Sequence, residues 1–192
     1  MKICAAVLFL AAISLVGCAS HQPPSAAPGR SSSPAPDGGL IHARNEGYSL
    51  VYRLMSDESN VDKILIIKDV DEPVKQVIKQ IAATCSDAKE QLDEYQKQDG
   101  RSEFNVPDLP RIEQETRDLE AKVEEKELVF SSGKTFQVRL ILTQLQATRY
   151  GQLLCTALVQ IEDNPQRKDF LTTLASNLGA YHDRLADMVQ SK

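Results

Sequence analysis

The chain has 192 residues, 42% of them hydrophobic, and a net charge of −5 from 27 acidic against 22 basic side chains. An acidic chain without a basic block argues against nucleic acid as a partner, and against electrostatic docking on anionic lipid. Four cysteines and three histidines leave little material for a redox or metal centre.

Residues 1–17 have the layout of a secretory signal. One positive charge, Lys2, precedes the unbroken run Ile3-Cys4-Ala5-Ala6-Val7-Leu8-Phe9-Leu10-Ala11-Ala12-Ile13-Ser14-Leu15-Val16. That run falls short of the roughly 20 apolar residues of a transmembrane span, and a polar, Pro-rich stretch follows it. Its end, Leu15-Val16-Gly17-Cys18, resembles the bacterial lipobox. The resemblance implies that cleavage precedes Cys18, and that Cys18 becomes the acylated N-terminus of a membrane lipoprotein. Several acyl chains on one residue exceed the single chain that binds membranes only marginally. In Gram-negative lipoproteins an Asp after the lipidated Cys usually means retention in the inner membrane. Ala19 stands there, which implies the outer membrane, with the domain facing the periplasm.

Losing residues 1–17 removes Lys2 alone among the charges and brings the net charge to −6. Residues 18–43 read as the lipidated Cys followed by a disordered tether rich in Pro, Ser and Gly, with too little apolar surface to offset the entropy of ordering it. As a flexible coil it spans roughly 25–30 Å. Residues 44–192 are about the size of one domain with one core.

Apolar spacings of four and three predict helices. Tyr48, Val51, Tyr52 and Met55 predict one from about 44 to 56. The run Val61-Asp62-Lys63-Ile64-Leu65-Ile66-Ile67 fits a short helix or a strand, and with no partner strand in sight the helical option is taken. The next stripe is Val74, Ile78, Ile81, Cys85, Ala88, Leu92 and Tyr95, opened by Asp71-Glu72-Pro73, with acid and proline at the N-terminal end. A helix from about 110 to 129 turns Ile112, Leu119 and Val123 inward. Its stripe is weakened by Thr116 and Lys126, so it should be the least buried. After Ser131-Ser132-Gly133, a turn or a kink, a helix over 134–161 is apolar on two faces. Val138, Ile141, Leu145, Cys155 and Val159 form one; Phe136, Leu140, Ala147, Tyr150, Leu154 and Leu158 form the other. Asn164-Pro165 caps the last helix, which carries Leu171, Leu174, Leu178, Tyr181, Leu185 and Met188. The architecture expected is all-α: an antiparallel four-helix bundle with an extra N-terminal helical segment.

Candidate chemistry is sparse. Cys85 and Cys155 lie on buried stripes in an oxidising compartment, where a disulfide closing about 70 residues would stabilise by ~4 kcal/mol in the chain-entropy model. Against that, the two helices stand diagonally in a simple bundle, and two buried thiols also serve as small apolar side chains. No Glu-x-x-His supports a di-iron site, and His182 with Asp183 and Asp187 is the weak metal candidate. Ser132-Gly133-Lys134-Thr135 matches the end of a P-loop, but Leu128 stands where its first glycine belongs. The acidic group Asp57, Glu58, Asp62, Asp69, Asp71 and Glu72 lacks a calcium-loop pattern.

A long apolar helix, an acidic turn with Asn164-Pro165, and a helix ending in Tyr181-His182 and Leu185 resemble the end of uncharacterised, exported ferritin-like bundles. The likeness covers the last 60 or so residues, and it implies shape and compartment. The expectation is therefore a non-catalytic envelope lipoprotein acting through protein contacts, in an accessory, assembly or scaffold role. It carries no cofactor beyond the lipid on Cys18, and it meets a protein partner or a second copy of itself. Its partner face should be an exposed apolar patch on the 110–129 helix or the N-terminal segment. The alternative is a metal- or small-ligand-binding ferritin-like bundle around His182.

Overall fold

A computed structural model describes residues 36–99 and 109–190, with side chains of the first helix from Gly39 onward. Its helices are α1 (Pro36–Glu58), α2 (Glu72–Asp99), α3 (Arg111–Phe130), α4 (Gly133–Ile161) and α5 (Pro165–Gln190). A 3-10 helix at Val61–Ile66, the segment that sequence left ambiguous, joins the first two. There is no strand among the described residues, and the fold is all-α.

The predicted stripe of α2 is buried at all seven positions. Removing a side chain such as Ile81 from water contributes about 1.5–3 kcal/mol. In α5, Leu171, Leu174, Leu178 and Leu185 are buried, and Tyr181 and Met188 pack against them in part. The Asn164 side-chain oxygen accepts from the backbone N–H of Gln166 at 2.9 Å and of Arg167 at 3.3 Å, the cap expected before Pro165. Gly133 opens α4 with φ of +55°, a left-handed conformation that costs glycine little, so Ser131-Ser132-Gly133 is a turn and not a kink.

α4 packs most extensively on α5, α1 lies against α2 and α4, and α2 also lies against α5. These four helices close a ring around the core, with α2 and α4 on one diagonal. The bundle therefore differs from the expected one in membership: α1 is its fourth core helix, and α3 attaches to its outside. Tyr48, Val51, Leu54 and Met55 of α1 supply the core that the N-terminal segment was expected only to cover. Gly151 lets α1 and α5 approach α4, because a Cβ there would stand 2.8 Å from Leu178 Cδ1 and 2.9 Å from Leu54 Cδ2.

α1 also begins earlier than the apolar spacing indicated. Residues 36–43, read as the end of the tether, form its first turns. Leu40 and Ile41 lie beside Gln160 and Ile161, and Arg44 donates to Asp163 Oδ2 at 3.0 Å. Such tertiary contacts override the weak helix propensity of Gly38-Gly39. The residues read as a signal segment, Cys18, and those read as a tether up to residue 35 lie outside the described residues.

Candidate interaction surface

Positions 112, 116, 119, 123, 126 and 130 of α3 recur at spacings of four and three, so Ile112, Thr116, Leu119, Val123, Lys126 and Phe130 form one seam, about 27 Å long at 1.5 Å per residue. This seam points away from the bundle. Ile112 is 73% exposed, Leu119 62%, Val123 56% and Phe130 79%. Ile112, Leu119 and Val123 are thus outward, contrary to the expectation that they turn inward. The buried residues of α3 are Ala121 and Leu128, on the opposite side of the helix.

The physical reason lies in the ring. α1 and α5 already take most of the apolar surface of α4, so α3 touches it only lightly and buries Ala121 and Leu128 alone. Leu128 joins the core, and polar ties supply the rest of the attachment. Lys68 Nζ donates to the carbonyls of Val129 and Ser131, each at 2.7 Å, and supplies a cation to the C-terminal end of the helix. Arg53 donates to Gln114 Oε1 at 3.2 Å and to Asp118 Oδ1 at 3.3 Å, and Arg139 pairs with Glu127.

Between α3 and α4 run two adjoining hollows of about 730 and 630 Å³ that share Glu127, Thr135 and Arg139. Val123 and Phe130 line them from α3, and Val138 and Leu142 from α4. Val138, expected on an inner face of α4, is 47% exposed because α3 stands off there. Seam and groove together make an apolar surface of the kind that marks an interaction site.

Two buried polar clusters lie inside. At the end of α1, Glu58 is 2% exposed and accepts a 2.8 Å hydrogen bond from Gln144 Nε2. Burial pushes its carboxyl up to about 7; the Gln144 bond opposes this, and Asp57 and Glu124 add to it. Burial likewise pushes Asp57 up to about 6, with Arg53 opposing. Glu58 Oε1 and Gln144 Oε1 find no hydrogen-bond partner among the described residues. A proton on Glu58 turns an acceptor into a donor beside a surplus acceptor, so the neutral acid suits this place. Perturbed carboxyls accompany acid–base sites, yet Glu58 lines neither hollow and its neighbours are Gln144, Asp57, Glu124 and Cys85.

At the other end Tyr48 donates to Glu162 Oε2 at 2.6 Å, while Glu162 Oε1 accepts from the N–H groups of Asp163 and Asn164. Arg167 lies 4.9 Å from the Tyr95 ring centre and 5.9 Å from that of Tyr48, and it pairs with Asp99 at 2.6 Å. Burial and the Glu162 bond push the Tyr48 hydroxyl up, which keeps it a neutral donor. Glu162 has donors at both oxygens, so this cluster fastens α1 to the α4–α5 turn.

The remaining sequence candidates are dispersed. Cys85 and Cys155 are separate buried thiols on the diagonal pair of helices, without the disulfide that was one of the two options. Burial drives both up, Cys155 to about 12, with Glu58 and Cys155 adding to the rise at Cys85, so neither has thiolate character. His182 Nδ1 meets the exposed Asp183 at 3.1 Å, and Asp187 is exposed. Among the described residues no three His, Cys, Asp or Glu side chains are grouped to hold a metal ion. The acidic group near residue 60 is divided, with Glu58 interior and Asp71 exchanging two 2.7 Å hydrogen bonds with Gln137. Sequence reasoning missed Phe130, which continues the seam past the expected helix end, and Lys68; the unbroken four-three spacing was the available signal for Phe130.

No family model, no curated protein and no solved structure matches the chain.

Proposed function

We propose that the protein is an envelope lipoprotein, acylated on Cys18 at the outer membrane, which works through protein contacts made by α3. The role is non-catalytic: accessory, assembly or scaffold. The carrying observation is the outward apolar seam of α3, because four large apolar residues facing water on one helix are explained by a partner that covers them. The lipobox-like Leu15-Val16-Gly17-Cys18 and the polar stretch after it support anchoring with the bundle held off the membrane. No specific observation favours a metal-binding role around His182.

Mass spectrometry of the membrane-extracted protein tests the anchor: the expected N-terminal peptide starts at an acylated Cys18, and an uncut or unacylated one would overturn it. A photo-crosslinking residue at 119 tests the contact. Adducts to one defined protein are expected there and not at Asp183, on the far helix α5; equal labelling at both positions would remove the reading.

A further inference from the structure

The residues beside the seam restrict what can cover it, if α3 is the contact surface proposed above. Along one edge run Glu113, Glu120 and Glu127; along the other, Glu115, Lys122 and Val129; Lys126 interrupts the seam itself. We propose that α3 receives a basic amphipathic helix of another protein, with an apolar stripe, Lys or Arg at its flanks and an acidic residue opposite Lys126.

A second copy of α3 fits poorly in either direction. Laid parallel and in register, it places Lys126 against its own counterpart on the seam and Glu115 beside Glu120, against a single favourable flanking pair, Lys122 with Glu127. Laid antiparallel about the midpoint between Leu119 and Val123, it sets Lys126 over Thr116. The three-Glu edge then faces itself, and Lys122 faces Lys122. Like charges in flanking positions select against such pairings, and a lone lysine on the seam sets register with a partner able to neutralise it. A helix with basic flanks meets Glu113, Glu120 and Glu127 along one edge, and Glu115 beside Lys122 along the other. Glu115 is now paired with Arg111 and Glu113 with Arg117 on the same helix, and Glu127 with Arg139 of α4, which leaves Glu120 the most open of the three-Glu edge. The exposed Arg111–Glu115 pair is weak and open to exchange, while the Arg117 side of the other is largely buried. The adjoining groove extends the platform, because Val138 and Leu142 can take apolar residues of the incoming helix that Val123 and Phe130 do not reach.

The experiment uses the purified full chain and three synthetic helical peptides: one with a Leu stripe, Lys flanks and one Glu opposite Lys126; the same peptide with Glu flanks; and a copy of residues 109–131. Leu119→Asp, at an exposed position, serves as the reference that subtracts binding elsewhere on the protein. Its melting curve is expected to match the parent. Fluorescence anisotropy should show the Lys-flanked peptide binding at least about ten-fold more tightly than the Glu-flanked one. Salt should erode that preference, Leu119→Asp should abolish the binding, and Glu113→Lys with Glu120→Lys should invert the order of the two peptides. Equal affinities would overturn the basic-helix proposal. Preference for the 109–131 copy, with self-association by sedimentation that Leu119→Asp removes, would overturn it too while leaving the contact role intact. If no peptide distinguishes the parent from Leu119→Asp, and crosslinks at 119 are absent, the contact role falls as well.

Discussion

α2 and α3 are both amphipathic, and they use their apolar stripes in opposite ways. The stripe of α2 is closed inside the ring from Val74 to Tyr95, while the seam of α3 lies in water from Ile112 to Phe130. Beyond Leu128, which reaches the core, what attaches α3 is charge and hydrogen bonding: Lys68 on its last carbonyls, Arg53 on Gln114 and Asp118, Arg139 on Glu127. An apolar stripe therefore locates a surface that needs covering, and the neighbours decide whether the same chain covers it.

Substitutions that strike the two stripes should separate them most sharply. Ile81→Ala on α2 is expected to cost about 2–5 kcal/mol, as buried Ile-to-Ala changes do, read as a lower urea midpoint with an unchanged slope. A loss below 1 kcal/mol would mean that α2 is not the core element described above.

The second test exploits the polar side of the molecule, where Glu58 feels Glu124 of α3. Because burial raises the folded-state carboxyl from about 4.5 to about 7, the folded state binds more protons than the unfolded one between those values. Stability therefore falls as pH rises through that window. Asp57, raised to about 6, acts in the same direction at lower pH. Glu58→Gln supplies an amide donor where the acid is deprotonated, and it should raise stability at pH 8 by about 1–3 kcal/mol. The gain should shrink toward pH 5. Thermal melts of both proteins from pH 5 to 8 measure it, and parallel profiles would show that Glu58 does not cause the slope.

A smaller effect is expected from Lys68→Met, which removes the cation at the carbonyl end of α3. About 1 kcal/mol should be lost, with faster amide exchange confined to the last turn of α3. Uniform acceleration throughout α2 would instead show that the two helices unfold together. Smallest of all, Ile112→Ser and Phe130→Ser should change stability by no more than about 0.5 kcal/mol, since both side chains already face water.

Helix number, the stripes of α2 and α5, and the Asn164 cap were legible because each is a local pattern: side chains three and four apart share a face wherever the helix lies. Two features were not. Whether Ile112 and Leu119 face in or out depends on which helix reaches α4 first, and α1 wins through Tyr48, Leu54 and Met55 over a sequence distance that periodicity does not encode. The start of α1 at Pro36 was hidden by Gly38-Gly39, whose helical state rests on contacts with the α4–α5 turn. Glu58 looked like one more surface acid among Asp57, Asp62 and Asp69; only Gln144, 86 residues away, marks it as interior.

The clasp between Tyr48 and Glu162 joins groups 114 residues apart in the chain. A helix whose fastening partners are synthesised so much later has little to close upon while the first half of the protein emerges. The loop entropy of so distant a contact grows only slowly with its length, so what delays the ring is the wait for its later helices to be made. For a polypeptide proposed to cross a membrane before it folds, that delay is useful. On that proposal the ring cannot close before α4 and the start of α5 have followed α1 through, because the partners of α1 lie there.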